Sequence, residues 1–175
     1  MPKHATHLPQ IRAFREGDLD GIVELSLLAW EPVFVSFEHI LGKTIFNLMY
    51  RPDWRSAQAS AVRANCLNTE AETYVVTDND RVVGFAVLMQ DQAASQGIVD
   101  MIAVHPDHQR RGHARRLMEF AIRHFRDAGL SLINVGTGGD PGHAPARALY
   151  EAVGFVGLPV QGYYLATESD RRAPR

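Results

Sequence analysis

The stretch HQRRGHARR at residues 108–116 sets four arginines, Arg110, Arg111, Arg115 and Arg116, around Gly112. An apolar, strand-like segment, residues 98–104, leads into it, and an amphipathic helical repeat follows from Ala114. The N-terminus of a helix exposes unpaired backbone N–H groups and the positive end of its dipole, so an anion placed there is stabilised. Gly112 allows close backbone approach or an unusual φ, and Ala114 is too small to block it. Arg110, Arg111 and Arg115 add charge. The pattern predicts a cradle for a pyrophosphate. A solvated basic face accounts for Arg116, Arg123 and Arg126. It explains neither Gly112 nor the strand-loop-helix placement.

Asp100 is the only carboxylate of the strand that feeds this loop. Flanked by Val99 and Met101, it has two evenly weighted readings: a base whose pKa is raised by desolvation, or a group that satisfies backbone donors at a strand bulge. His105, His108 and His113 suggest a metal, but no HExxH pattern or cysteine partner accompanies them, so no metal site is expected. GKT at residues 42–44 lacks the earlier glycine of a phosphate-binding P-loop, since Phe37 stands there. The glycines at 136, 138, 139 and 142 do not form G-x-G-x-x-G.

The elements that must position these residues follow from pattern. Residues 10–14 form a short strand. Leu19, Ile22, Val23, Ser26, Leu27 and Trp30 recur at helical spacing behind Asp18 as N-cap, and Pro32 is expected to interrupt that helix. Helices follow over about 34–50 and 54–67. Residues 73–78 and 81–90 make a hairpin around Asn79 and Asp80. In the helix after Gly112, Leu117, Met118, Ala121, Ile122 and Phe125 share one face. A strand at 131–137 leads through the glycine-rich turn to a helix that begins near Pro145 and stops at Gly154. A last strand is expected at 162–168. A mixed sheet with helices on both sides follows.

Composition sets the frame. A chain of 175 residues, 46% hydrophobic and 22% charged, is the size and make-up of one globular domain with loose ends at 1–9 and 169–175. With a formal net charge of −2, the arginine cluster is local and nucleic-acid binding is not implied. Cys66 is the only cysteine, which suits a reducing compartment. No signal peptide or membrane-spanning run is visible, so a cytoplasmic protein is expected. A homodimer is left open.

Residues 109–114, Gln109-Arg110-Arg111-Gly112-His113-Ala114, match the Q/R-x-x-G-x-G/A signature of the GNAT superfamily of acyl-CoA-dependent N-acetyltransferases. The match stands between a strand ending in VHP and a long helix, where that family has it. AxxLYEAVGF, carried by Ala146, Leu149, Tyr150, Gly154 and Phe155, resembles a later motif of the same family, and the likeness covers roughly residues 72–168. It implies an α/β (α+β) single-domain fold, with a mostly antiparallel central sheet, helices on both faces and a splayed cofactor cleft. Acetyl-CoA would lie where strands 98–104 and 131–137 part, its pantetheine arm along Ile102, Ala103 and Val104 and its pyrophosphate on the amides of residues 110–114. Tyr150 resembles the family's proton donor to the departing thiolate. As a residue on an apolar helical stripe, it also reads as core. Where relatives carry an acidic residue on the cofactor strand, this chain has Ile98, and where they carry an asparagine that bonds the cofactor arm it has His143. The acceptor would be a small amine, an aminoglycoside-like compound or a peptide N-terminus. It would enter over the N-terminal helices, where Trp30, Glu31, Phe34, Phe37 and Glu38 suit a cation or simply pack together. A non-catalytic acyl-CoA-binding sensor or interaction module is the alternative.

Overall fold

In the computed structural model, Asn79 and Asp80 both hold left-handed φ, 49° and 63°, in a two-residue turn that joins β2 (Ala71–Asp78) to β3 (Arg81–Asp91). This is the backbone that a tight hairpin demands, and asparagine and aspartate tolerate it well. The structure describes residues 9–167. Apart from Pro9, the ends expected to be loose lie outside them.

Five strands lie in the order β1 (Gln10–Ala13), β2, β3, β4 (Gln96–Val104) and β5 (Leu132–Val135). The first four pair antiparallel; β5 pairs with β4 in parallel. That parallel step needs a crossover, supplied by α3 (His113–Asp127). Helices α3 and α4 (Ala144–Ala152) cover one face around Val76, Val83, Leu88, Val99, Leu117, Met118 and Phe125. Helices α1 (Leu19–Met49) and α2 (Trp54–Cys66) cover the other around Ile22, Leu25, Val62, Val75, Phe85 and Val87. The expected layering is present.

Where α3 crosses β4, the closeness depends on Gly97. A Cβ there would overlap the ring of fully buried Phe125. We expect Gly97→Ala to cost about 1–3 kcal/mol through overpacking, read as a lowered midpoint in chemical denaturation with an unchanged slope.

Three local expectations are corrected. Pro32 does not end the first helix, which runs on to Met49 with its one non-helical residue at Gly42, φ 73° and ψ 158°. A helix-interior proline loses a hydrogen bond, but Val33 and Phe34 are buried beside it and the backbone of Gly142 lies against Pro32 and Val33. Tertiary packing outweighs the local penalty.

Asp18 does not cap α1 through its side chain. Its carboxylate takes Arg12 Nη1 and Nη2 at 2.7 and 2.8 Å and the Arg15 N–H at 2.8 Å, which ties β1 to the turn before the helix. The Arg12 hydrogen bonds hold its pKa below the usual value, against the upward push of burial. A depressed carboxylate pKa contributes stability above its unfolded value, about 3.9, and that contribution is lost as pH falls through the lower folded value. Asp18→Asn should therefore flatten the acid limb of a thermal-melt series below about pH 4 while lowering stability at neutral pH.

The strand expected at 162–168 is absent over 162–167, and Glu168 lies outside the described residues. Tyr163 and Leu165 stand 88% and 86% exposed. A run of β-favouring residues becomes a strand only when a ladder partner accepts its backbone. Here no such pairing forms.

Candidate functional site

β4 and β5 pair only from Gln96 opposite Leu132 to Val99 opposite Val135. Beyond that point β4 continues to Val104, bonded to β3 on one side alone. The two central strands thus part at Val99, and the free edge of residues 100–104 faces a gap. This is the opening expected between strands 98–104 and 131–137. Ile102, Ala103 and Val104 lie along it.

The split coincides with a bulge. Val87 pairs with Met101 and Leu88 with Val99, so Asp100 is the extra residue of β4. Val99 packs with α3 and α4, whereas Met101 belongs to the α1–α2 side, and alternation from Val99 puts Asp100 on that second side as well. The desolvation expected of Asp100 is not found. It is exposed, and among the described residues its carboxylate accepts no hydrogen bond, so it satisfies no backbone donors at the bulge either.

At the end of β4 the chain makes a short 3-10 turn, Pro106–His108, and enters the loop 109–112. Arg110 has φ 59°, and Gly112 has φ 83° and ψ 1° as the N-cap of α3. The left-handed conformation at Gly112 is one that most side chains resist, and a Cβ there would meet only open space. The first bond of α3 runs from the Arg116 N–H to the Gly112 carbonyl at 3.0 Å, which leaves the N–H groups of His113, Ala114 and Arg115 without intrahelical partners. Of the amides expected at the cradle, residues 110–114, those of His113 and Ala114 are among these unpartnered groups.

The arginines divide. Arg110 and Arg111 are exposed and, among the described residues, form no ion pair. Arg115 is committed to Glu119 at 2.9 Å and Arg116 to the Pro9 carbonyl at 2.6 Å. The charge at the loop therefore comes from two guanidiniums and the helix end. Gln109 turns its amide back to the Val104 carbonyl at 3.0 Å and fastens the loop to the strand. His113 is 3% exposed, with its ring inside the protein and its backbone N–H at the open end of the helix.

Tyr150 lies on the α3–α4 face of the sheet, 8% exposed, in the same core as Val99, Val104, Leu117 and Met118. Its setting explains the VGF that ends the motif. Gly154, φ 101°, donates to the Glu151 carbonyl and Phe155 to the Tyr150 carbonyl, at 3.1 and 3.0 Å, the paired bonds of a Schellman cap. Phe155 then packs 6.2 Å from the Tyr150 ring, centroid to centroid. Burial pushes the phenol up to about 12. The hydroxyl makes no hydrogen bond among the described residues.

His143 closes the 3-10 turn Pro141–His143, with Nδ1 2.5 Å from Asp140 Oδ1 and its ring 5.6 Å from that of Phe37 on α1. Burial pushes the Asp140 carboxyl up, but hydrogen bonds from His143 and Ser36 outweigh it and the pKa is lowered. Arg147 Nη1 donates to the carbonyls of Gly138 and Asp140, at 2.6 and 2.8 Å, and secures the glycine-rich turn. Asp140, Ser36 and Arg147 went unrecognised in the sequence. Asp140 ahead of Pro-Gly is a turn signal, but its partnership with Ser36 joins distant segments.

Across the sheet, the aromatic group on α1 is mainly packing. Phe34 stacks on Trp54 at 4.5 Å and meets Phe46 and Tyr50 edge-on or nearly so, and Glu31 is paired with Arg55 at 2.6 Å. Among the described residues, no helix is long and apolar enough to cross a membrane.

The fold is a mixed sheet with helices on both faces whose central strands part beside a helix N-terminus. The chain belongs to the acetyltransferase (GNAT) family, whose model matches residues 42–155. No curated protein sequence matches it. Among solved structures, a GNAT-family chain from Desulfovibrio desulfuricans is similar at TM-score 0.66 and 19% identity, covering 87% of each chain. The ribosomal-protein-S18-alanine N-acetyltransferase of Escherichia coli is similar at TM-score 0.65 and 21% identity, over 91% of this chain and 86% of that one. The PaiA N-acetyltransferase of Thermoplasma acidophilum, in complex with coenzyme A, is similar at TM-score 0.65 and 13% identity, over 89% and 94%. At these identities the likeness speaks for the fold.

Proposed function

We propose that this chain acts as a single-domain N-acetyltransferase that moves an acetyl group from acetyl-CoA to a primary amine by direct attack. The carrying observation is the parting of β4 from β5 at Val99 and Val135 next to the unpartnered amides of residues 113–115. An extended thioester suits the gap, its arm along Ile102, Ala103 and Val104 and its diphosphate on the loop, with Arg110 and Arg111 adding charge. Gln109 supports this site by holding the loop and His143 by holding the turn beside it, while Arg115 sits in the first turn of α3 paired with Glu119. The coenzyme A complex of the similar Thermoplasma protein supports the choice of ligand.

An alkylammonium with a pKa near ~10 must lose its proton before its nitrogen can attack. Asp100, exposed on the α1–α2 side, orders water that takes this proton rather than acting as a desolvated base. The nitrogen then bonds the acetyl carbon, and a backbone N–H near Val104 holds the oxyanion. As the C–S bond breaks, Tyr150 supplies a proton to the thiolate, and the proton shed by the new amide nitrogen passes through water to restore the phenol. The acceptor is a small amine, an aminoglycoside-like compound or a peptide N-terminus, the last in keeping with the activity named for the similar Escherichia coli protein. The buried thiol of Cys66, pushed up to about 11 by burial, is inert and fits a cytoplasmic setting.

The test is to mix the protein with acetyl-CoA and a panel of primary amines, including peptides with free N-termini, and follow thiol release and N-acetyl products by mass spectrometry. Product formation supports the transferase. Saturable CoA binding with no thiol release across the panel would favour the sensor.

A further inference from the structure

Beside the cofactor loop, three side chains that no role above uses converge. One ligand atom each from Asp78, His108 and His113 lies within 4.8 Å of the other two. We propose that these residues bind a divalent transition metal of the zinc type, which joins the end of β2, the turn before the cofactor loop and the first residue of α3.

The buried nitrogens carry the inference. His113 is 3% exposed and neither ring nitrogen has a hydrogen-bond partner. His108 Nδ1 is likewise shielded from solvent and makes no hydrogen bond, although it faces Asp78 Oδ2 at 3.5 Å. Buried polar atoms in native proteins are nearly always paired, and two orphaned imidazoles aimed into one small space call for an electrophile. The spacing suits one. A tetrahedral ion with bonds of about 2.0–2.1 Å holds its ligands roughly 3.3 Å apart. The His108–Asp78 pair is already near that value, and with all three ligand atoms within 4.8 Å of one another the remaining separations must close by up to about 1.5 Å.

Two imidazoles and one carboxylate favour zinc and its neighbours over calcium or magnesium, which prefer all-oxygen shells. A water would complete the fourth position. The positive end of α3 and the nearby Arg111 and Arg116 oppose a cation here, so the charge of Asp78 is decisive. His108 and His113 hint at a metal in the sequence, but no metal site is expected there because the third ligand, Asp78, comes from a distant strand. His108 and His113 bracket residues 109–112, and a metal held between them would pin both ends of that loop. The site stands whether or not the loop binds a coenzyme.

The experiment uses the full chain, stripped with a chelator and dialysed, with Zn²⁺ titrated by calorimetry without any coenzyme. We expect about one equivalent bound per chain, a melting temperature raised by a few degrees, and a tetrahedral visible spectrum when Co²⁺ replaces Zn²⁺. Asp78→Asn and His108→Gln, both at half-buried positions, should fold and bind Zn²⁺ at least about tenfold more weakly, while the surface control His39→Gln should match the parent. No binding at 100 μM Zn²⁺ would overturn the proposal. So would equal binding by the two ligand variants, since the metal would then sit elsewhere.

Discussion

Tyr150→Phe is expected to fold normally, bind acetyl-CoA with unchanged affinity and release thiol about 10²-fold more slowly. The ring and its contact with Phe155 are kept, and the hydroxyl has no hydrogen bond to lose among the described residues, so stability should hardly change. General acid catalysis is worth about 10²–10⁴. The lower end applies because the phenol, pushed up to about 12 by burial, is always protonated yet is a weak acid beside a departing thiol of pKa near ~8.5. The same value dictates the pH profile. Tyr150 should impose no alkaline limb on kcat/KM below about pH 11, so any earlier limb in the parent must persist in Tyr150→Phe. Single-turnover thiol release in parallel with CoA titration checks both points. Full turnover in the variant would reject the role.

Gly112→Asp should weaken CoA binding by far more than Gly112→Asn. Both residues tolerate the left-handed φ of 83°, and a Cβ meets open space, so the loop is expected to survive either change. Asn tests the cost of filling the cradle. Asp adds a negative charge where the diphosphate would sit. A unit charge about 4 Å from another costs about 4 kcal/mol at an effective dielectric of 20, and less where solvent screens it. A penalty of about 2–4 kcal/mol corresponds to a Kd raised on the order of 30- to 1,000-fold, and it should shrink at high salt. Equal affinities for the two variants, measured by calorimetry at two ionic strengths, would show that the diphosphate does not lie there.

The site was legible where its chemistry resides in neighbouring residues. Gly112, the small Ala114 and the helix repeat lie within one short segment, and the structure has the expected unpartnered amides there. Similarly, Tyr150, Gly154 and Phe155 belong to one local cap. Asp100 shows the opposite case. Val99 and Met101 on either side suggest burial, but the bulge at this residue depends on how β3 registers against β4, and it leaves the carboxylate in water. The arginine cluster was only half legible. Its four positive charges are plain in sequence, but Glu119 and Pro9 claim two of the four, one within α3 and one from the start of the chain.

By itself the amino-acid order determined the helix and strand periods, the hairpin turn, the caps around Gly112 and Gly154, and with them the family. Each depends on backbone preference or hydrophobic spacing over a few residues, and such local terms act before distant segments meet. Only the tertiary structure decided that α1 runs through Pro32, that residues 162–167 remain unpaired, and that Asp78 meets His108 and His113. Those outcomes depend on which surfaces and sheet edges meet after the chain has closed on itself, and no short window of sequence contains both partners.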